Sequence, residues 1–273
     1  MSIQSCPLDP RETGVQRPVS VLVPDMSHKP VYFISDAHLG IDDYGAEKER
    51  RDRLLDFLRS LRDRADHLYI VGDLFDFWFE YRTVVPRQHY TVLHTLSSLV
   101  ESGVRVTYLA GNHDFWLGTF LDEQVGVVTA EGPLTVTHHG RKIYIAHGHG
   151  LISRDFGYRV LAKIIHSAFS IRLFQLIHPD CGFRLGRLAS RLSRRHGTPT
   201  AWDPREAYRD LAFSLLDQGY DAVVFGHNHC PTLQHKEDKV YINLGDWLRH
   251  DTYGVLRDGE MTLEQYGAPG DKR

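Results

Sequence analysis

Five short polar segments constrain the fold of this 273-residue chain more than any other feature of its sequence. Each segment directly follows an apolar run of the length of a β-strand. The segments are Asp36-Ala37-His38, Gly72-Asp73, Gly111-Asn112-His113-Asp114, His147-Gly148-His149 and Gly226-His227-Asn228-His229. In an open α/β sheet, the turns at the carboxyl ends of the strands lie at one edge, where ligands bind. We therefore expect the five segments to form a single site.

The apolar runs alternate with amphipathic helical patterns, which predicts an α/β fold with a mostly parallel sheet. The predicted strands are residues 31–35, 67–71, 104–110, 126–130, 134–138, 142–146, 222–225, 240–244 and 252–256. The predicted helices of this core are residues 47–65, 87–102 and 204–218. The strands at 126–130, 134–138 and 142–146 follow one another closely, which predicts a hairpin arrangement.

Composition restricts the class of protein. The hydrophobic content of 42% supports one sizeable core or a core with a small appended unit, and the net charge of -3 gives no reason to expect a nucleic-acid partner. Cys6, Cys181 and Cys230 form no CxxC pair, which predicts a reducing compartment. No apolar run reaches the roughly 20 residues that span a bilayer. We expect a cytoplasmic protein with at most peripheral membrane contact.

Two segments depart from the strand-helix pattern. Residues 1–29 lack periodicity, which predicts a poorly ordered tail. Residues 151–199 carry helical apolar spacing in a basic background, and they separate the two parts of the core, 30–150 and 200–265. Basic amphipathic helices of this kind lie on membranes or cover apolar ligands, although they also occur as ordinary helix pairs with solvated arginines.

The donors in the five segments predict a dinuclear metal site. They are Asp36, His38, Asp73, Asn112, His147, His227 and His229. These oxygen and imidazole ligands, far apart in the chain and without a thiolate, indicate a site assembled by the fold rather than a zinc finger. Two divalent metals about 3.5 to 4 Å apart need a bridging carboxylate, for which Asp73 is the candidate. Paired donors two residues apart point to the same side of an extended segment.

The motifs also resemble those of a known family. In order and spacing, Asp36-x-His38, Gly72-Asp73-x-x-Asp76, Gly111-Asn112-His113-Asp114, His147-Gly148 and Gly226-His227-x-His229 are similar to the five motifs of calcineurin-like metallophosphoesterases. The resemblance covers about residues 31–257. It implies a four-layer α/β/β/α sandwich with a helical insertion, and two divalent metals, Mn²⁺ with iron or zinc as alternatives.

Roles for individual residues follow from motif position. One metal would take Asp36, His38, Asp73 and His229, and the other would take Asp73, Asn112, His147 and His227. His113, paired with Asp114, would act as general acid or stabilise the transition state. Within the family the chain is most similar to UDP-2,3-diacylglucosamine diphosphatases of lipid A synthesis, whose insertion forms a lid over the acyl chains. By that resemblance, Asn112, Asp155 and Tyr158 would contact the substrate. His149 stands where these enzymes commonly have aspartate.

The expected activity is therefore cleavage of the pyrophosphate of UDP-2,3-diacylglucosamine, giving UMP and 2,3-diacylglucosamine 1-phosphate, by a hydroxide held between two metals. The partners are then a nucleotide-linked acylated sugar and, through the lid, a membrane surface. A related phosphoesterase acting on a soluble nucleotide, small phosphoester or phosphoprotein is the alternative. A scaffold that has lost catalysis would lack some ligands, whereas this chain has all seven. The sequence does not indicate the oligomeric state.

Overall fold

The computed structural model describes residues 19–20, 28–152, 167–195 and 203–267. The strands are β1 (Val19–Ser20), β2 (Val31–Ile34), β3 (His67–Val71), β4 (Arg105–Leu109), β5 (Val128–Ala130), β6 (Leu134–His138), β7 (Arg141–Ala146), β8 (Ala222–Phe225), β9 (Thr232–Lys236), β10 (Lys239–Asn243), β11 (Thr252–Arg257) and β12 (Glu260–Gln265). The helices are α1 (Lys48–Ser60), α2 (Tyr90–Glu101), α3 (Ala168–Gln175), α4 (Pro179–Arg195) and α5 (Pro204–Asp217). Short helical turns cover Arg87–His89 and Leu121–Val125.

The strands form two six-stranded sheets. The first sheet has the order β12-β11-β2-β3-β4-β5 and the second has the order β1-β6-β7-β8-β10-β9. In the first sheet, β2 to β5 are parallel to one another. Strand β11 is antiparallel to both of its neighbours, β2 and β12. In the second sheet, β7, β8 and β10 are parallel, while β6 and β9 pair antiparallel to β7 and β10. Both sheets are therefore mixed.

Alternating side chains along the strands build the four layers. In β2, Val31 and Phe33 pack between the two sheets, and Tyr32 and Ile34 pack against the helices on the other face. A strand with two buried faces must be apolar at every position, which is why β2 and β3 appear in the sequence as continuous apolar runs. Helices α1 and α2 cover the first sheet, and α5 covers the second. The expected α/β/β/α sandwich is confirmed.

The structure changes the predicted sheet arrangement in three places. The hairpin prediction holds for β6 and β7 alone, because β5 pairs with β4 in the other sheet. The edge strands β9 and β12 were not predicted, because their side chains are partly solvated and form no apolar run. Within the predicted tail, Val19–Ser20 pairs with Leu134–Thr135. The rest of the tail before residue 28 lies outside the described residues.

The basic segment contributes helices α3 and α4, which lie against aromatic side chains that follow β3. Gly182 and Gly186 of α4 are buried, and a Cβ at Gly186 would lie 2.5 Å from the Phe77 ring. Glycine at these positions therefore lets the helix backbone approach the core closely. Residues 153–166 and 196–202 lie outside the described part of the chain. Within the described residues, no helix combines the length and apolarity needed to cross a bilayer.

Candidate metal centre

The five polar segments meet at one edge of the sandwich. Three of them follow β2, β3 and β4 of the first sheet, and two follow β7 and β8 of the second sheet. Glycine residues allow the backbones of these segments to approach one another closely. A Cβ at Gly111 would lie 2.5 Å from the backbone nitrogen of Asp73, so only glycine fits there. The convergence expected from the sequence is therefore present in the structure.

The segments are turns rather than extensions of the strands. Asp36, His38, Asp73, His227 and His229 all have positive φ angles, between 44° and 69°. The sequence-based argument that paired donors share one face of an extended segment is therefore wrong. The side chains converge because the backbone enters the left-handed region, which is sterically costly for residues with a Cβ and is typical of functional sites.

One donor group joins the two sheets through Asp36, His38 and His229. His229 Nε2 lies 3.4 Å from Asp36 Oδ1 and 3.2 Å from His38 Nε2. The backbone N–H of His227 donates to Asp36 Oδ2 at 2.9 Å, which leaves Oδ1 to face the imidazoles. His229 Nδ1 donates to Asp246 Oδ2 at 3.1 Å. That bond directs the lone pair of His229 Nε2 toward the group.

A second donor group contains Asp73, His147 and His227. His147 Nδ1 donates to the Val71 carbonyl at 2.8 Å, so the lone pair of Nε2 faces the group. Around this nitrogen lie Asp73 Oδ2 at 3.3 Å, Asn112 Oδ1 at 3.1 Å and His227 Nδ1 at 3.3 Å. Asp73 Oδ2 is also 3.7 Å from His38 Nε2 of the first group. The carboxylate of Asp73 therefore lies close to imidazole nitrogens of both donor groups.

The chemistry of these donors fits bound divalent cations. In each group two imidazole nitrogens face each other at 3.2 or 3.3 Å, an arrangement that brings lone pairs together unless a proton or cation lies beside them. Asp36 Oδ1 is buried and has no hydrogen-bond donor among the described residues, which is costly for a carboxylate oxygen without a metal. Oxygen and imidazole donors of this kind suit Mn²⁺, iron or zinc.

The pKa values of the site also indicate that it stabilises positive charge. Burial opposes ionisation of Asp73, but the imidazoles of His147 and His113 lower its pKa well below the usual value. Burial lowers the pKa of His147, but the carboxylates of Asp73 and Asp36 raise it to about 9. Burial lowers the pKa of His227 to about 3, helped by the charge of His147. The buried carboxylates therefore stabilise positive charge at this site.

His113 lies beside the donor groups, with its ring 4.8 Å from that of His38. Its Nδ1 faces the Asp76 carbonyl at 3.1 Å and Ser190 Oγ at 2.9 Å. The expected pairing of His113 with Asp114 is wrong. The Asp114 carboxylate instead accepts bonds from the backbone N–H groups of Asp73, Phe75 and Gly111, and from the Tyr108 hydroxyl. Asp114 ties the turns after β3 and β4 together.

Sequence reasoning missed three residues at the site. Asp246 accepts from His229, Asp76 lies between His38 and His113, and Ser190 reaches both Asp76 and His113. Asp76 was part of a recognised motif but received no role, and Ser190 lies in the basic insertion, where no motif marks it.

The expected substrate contacts Asp155 and Tyr158 lie outside the described residues. The His149 ring is 5.3 Å from that of His147.

An α/β/β/α sandwich with neighbouring groups of buried aspartate and histidine donors at the edge of its sheets is typical of metal-dependent hydrolases. The family model for calcineurin-like phosphoesterases matches residues 29–231. The chain belongs to the calcineurin-like phosphoesterase family, and it is a metal-dependent hydrolase.

Individual relatives cover most of the chain. A UDP-2,3-diacylglucosamine hydrolase of Porphyromonas gingivalis is 30% identical over 254 residues, which are 86% of this chain and 96% of that protein. A protein of the same name from Neisseria meningitidis serogroup C / serotype 2a is 32% identical over 87% of this chain and 100% of its own. The solved structure of Yfce, a phosphoesterase from E. coli, covers 87% of this chain and 93% of its own at 15% identity and a TM-score of 0.42.

Proposed function

We propose that the protein hydrolyses the pyrophosphate bond of UDP-2,3-diacylglucosamine, giving UMP and 2,3-diacylglucosamine 1-phosphate. One observation carries the hydrolytic part of this proposal. Asp73 Oδ2 lies between two donor groups, 3.3 Å from His147 Nε2 and 3.7 Å from His38 Nε2. The substrate follows from the relatives, which carry that activity in their name at 30% and 32% identity over nearly the whole chain.

The metals in this proposal are two Mn²⁺ ions. Asp36, His38, Asp73 and His229 would hold one ion, and Asp73, Asn112, His147 and His227 would hold the other. The bound ions supply Lewis-acid stabilisation of the charge on the phosphoryl oxygens and activate the attacking water. The protein donors are oxygen atoms, which suit Mn²⁺, and imidazole nitrogens, which also suit iron and zinc.

His113 performs the proton transfer in this proposal. Its Nδ1 is held by the Asp76 carbonyl and Ser190 Oγ, so Nε2 is the nitrogen that reaches the substrate. When the ring carries a proton on both nitrogens, Nε2 donates its proton to the oxygen of the departing phosphate, or its positive charge stabilises the transition state. Asp114 acts indirectly, because its bonds to backbone N–H groups fix the turns that carry Asp73 and His113.

Helices α3 and α4 bind the acyl chains in this proposal. The two helices and the residue that follows α3 expose large apolar side chains: Phe169, Leu173, Leu176, Leu185 and Leu188. Arg172 of α3 and Arg184 and Arg191 of α4 are also exposed. Apolar and cationic side chains in one surface suit a lipid with an anionic headgroup and the inner, cytoplasmic face of a membrane. Asp155 and Tyr158 would contact the sugar-nucleotide.

The test compares substrates with purified, Mn²⁺-loaded protein. We expect release of UMP from UDP-2,3-diacylglucosamine, measured by chromatography, and a much higher kcat/KM than for the deacylated UDP-sugar. Equal turnover of the two substrates would remove the lipid part of the proposal and favour a soluble phosphoester.

The same assay tests the metal centre with Asp73→Asn. Asparagine tolerates the positive φ at this position, so the fold should persist while the bridging charge is lost. We expect metal content to fall and the rate to drop at least about a hundredfold. Asp56→Asn, an exposed carboxylate on α1, is the matched control. Full activity in Asp73→Asn would show that the assigned donor set is wrong.

A further inference from the structure

A single hydroxyl of helix α4 connects two residues of the active centre. Ser190 Oγ donates to Asp76 Oδ1 at 2.9 Å and lies 2.9 Å from His113 Nδ1. A hydroxyl has one proton to donate and two lone pairs to accept with. Because its proton goes to Asp76, the oxygen of Ser190 accepts from the N–H of His113. Ser190 is 7% exposed, so water competes little for these bonds.

The packing of α4 brings this hydroxyl to the site. Gly182, Gly186 and Ser190 are spaced four residues apart, so they lie on one face of the helix, and all three are buried. The first two allow contact with Tyr81 and Phe77, and the third reaches His113. The opposite side of α4 exposes Leu185 and Leu188. One face of the helix therefore continues into the active centre while another faces outward.

A further contact fixes the helix along its length. Arg187 lies between the second and third of these buried positions, and its guanidinium donates to the Asp42 carbonyl at 3.4 Å and lies 3.8 Å from Asp43 Oδ1. Asp42 and Asp43 belong to the loop after β2, which also carries Asp36 and His38. Arg187 and Ser190 thus attach the insertion to two different active-centre loops, and Ser190 is the one of the two that contacts the His113 ring nitrogen.

We propose that Ser190 is a positioning residue that holds the His113 ring in its working orientation, so that the placement of the insertion helix α4 sets the catalytic rate. This rests on the proposed function insofar as His113 acts on the substrate. Both Asp76 and His113 come from the core, whereas Ser190 comes from the insertion. A shift of α4 by 1 Å or more breaks both bonds, and misplacement of that size costs up to about a hundredfold in rate.

The test is a double-mutant cycle of Ser190→Ala and His113→Ala, measured at saturating substrate with the metal-loaded enzyme. We expect Ser190→Ala to lower kcat roughly tenfold with KM unchanged, and to have no further effect when His113 is already alanine. Ser190→Thr keeps the hydroxyl and should restore most of the rate. A loss of the same factor in both backgrounds, or no loss of kcat, would overturn the proposal.

Controls separate positioning from folding and from substrate identity. Ser97→Ala makes the same chemical change in helix α2, away from the site, and should leave the rate unchanged. If Ser190→Ala does not fold, Ser190→Cys replaces it in the same double-mutant cycle. Cysteine is close to serine in size but forms only weak hydrogen bonds. The cycle is also run with bis(p-nitrophenyl) phosphate. If the wild type cleaves this diester but not the UDP-linked lipid, the proposed substrate is wrong. The role of Ser190 can then still be determined with the diester.

Discussion

The carboxylate of Asp246 acts on the candidate metal centre without being one of its donors. Its Oδ2 accepts from His229 Nδ1, and its Oδ1 accepts from the backbone N–H groups of Leu248, Arg249 and His250. Burial raises the pKa of Asp246, but the bonds to His229 and to the backbone lower it to about 2. Asp246 is therefore ionised at neutral pH and fixes the tautomer of His229.

Replacement of Asp246 by asparagine tests this role. In Asp246→Asn the oxygen can keep its backbone bonds, while the amide group facing His229 no longer accepts from Nδ1. We expect the affinity for Mn²⁺ to fall about ten- to a hundredfold, measured by competition with a chelator. Asp238→Asn, at an exposed turn, should leave the affinity unchanged. An unchanged affinity in Asp246→Asn would show that the tautomer of His229 is set by something else.

A buried histidine far from the donors links stability to pH. His67 stacks on Tyr69, with ring centroids 4.1 Å apart, and its Nε2 contacts Thr107 Oγ1 at 2.8 Å. Burial, together with the nearby charges of His138 and Arg105, lowers the pKa of His67 to about 2. Between pH 6.5 and about 2, the unfolded chain therefore binds a proton here that the folded chain does not, so acid favours unfolding.

We predict that His67→Phe removes this dependence. Each pH unit below 6.5 costs the wild type about 1.4 kcal/mol through this residue, whereas phenylalanine cannot bind a proton. Urea denaturation at pH 7, 6 and 5 should therefore show a shallower decline of the free energy of unfolding in the variant. The measurement compares variant and wild type at each pH, so that other titrating groups cancel. Parallel declines would contradict the assignment.

The sequence shows donor residues more readily than the residues that orient them. A donor such as Asp73 or His147 directly follows an apolar run, so its place in a turn can be predicted from the chain alone. Ser190 and Asp246 contact His113 and His229 from distant parts of the chain, and only tertiary packing brings them close. The partner of His113 was predicted wrongly for the same reason, because sequence adjacency suggested Asp114 whereas the fold supplies Asp76.

At the scale of elements, strands with two buried faces were the most predictable. Strands β3 and β8 are buried at every position, and their bounds agree with the sequence-based prediction. The bounds of β6, whose buried positions alternate, agree as well. Strand β9 was missed because its exposed and partly exposed residues alternate, as expected of an edge strand with little apolar signal. Assignment of β5 to one sheet and β6 to the other depends on long-range pairing, which no local pattern encodes.

The close approach of helix α4 leads to a prediction for Gly186→Ala. Alanine has the higher intrinsic helix propensity, by about 1 kcal/mol. The added Cβ would nevertheless lie 2.5 Å from the Phe77 ring, so the ring or the helix must move, and we expect the helix to move outward. We expect faster proteolysis within the insertion and a lower kcat, as Ser190 leaves His113. Gly45→Ala, where an added Cβ meets nothing within 4 Å, is the control. Faster proteolysis with an unchanged kcat would contradict the dependence of the rate on the placement of α4.

At the scale of the whole molecule, the exposed apolar surface of α3 and α4 should determine the substrate. Phe169 is 77% exposed and Leu176 is 83% exposed, so their replacement by serine should change the free energy of unfolding by only about 0.5 kcal/mol. We expect the double variant Phe169→Ser/Leu176→Ser to raise KM for the acylated substrate and to weaken sedimentation with anionic lipid vesicles. Its rate on bis(p-nitrophenyl) phosphate should not change.

The control for this surface is Val128→Ser, which makes a similar change at another exposed position, 61% exposed, in β5. That variant should behave as the wild type toward both substrates and vesicles. If the double variant keeps its KM for the acylated substrate, the apolar side chains of α3 and α4 do not bind acyl chains.

Each donor group takes ligands from both sheets. Asp36 and His38 come from the first sheet and meet His229 of the second, while Asp73 of the first meets His147 and His227 of the second. Any cation held by either group is therefore a cross-link between the two halves of the sandwich. Ligands that bind only the folded state add to its stability by mass action. Removal of the ion would therefore lower the stability of the contact between the two sheets as well as abolish activity.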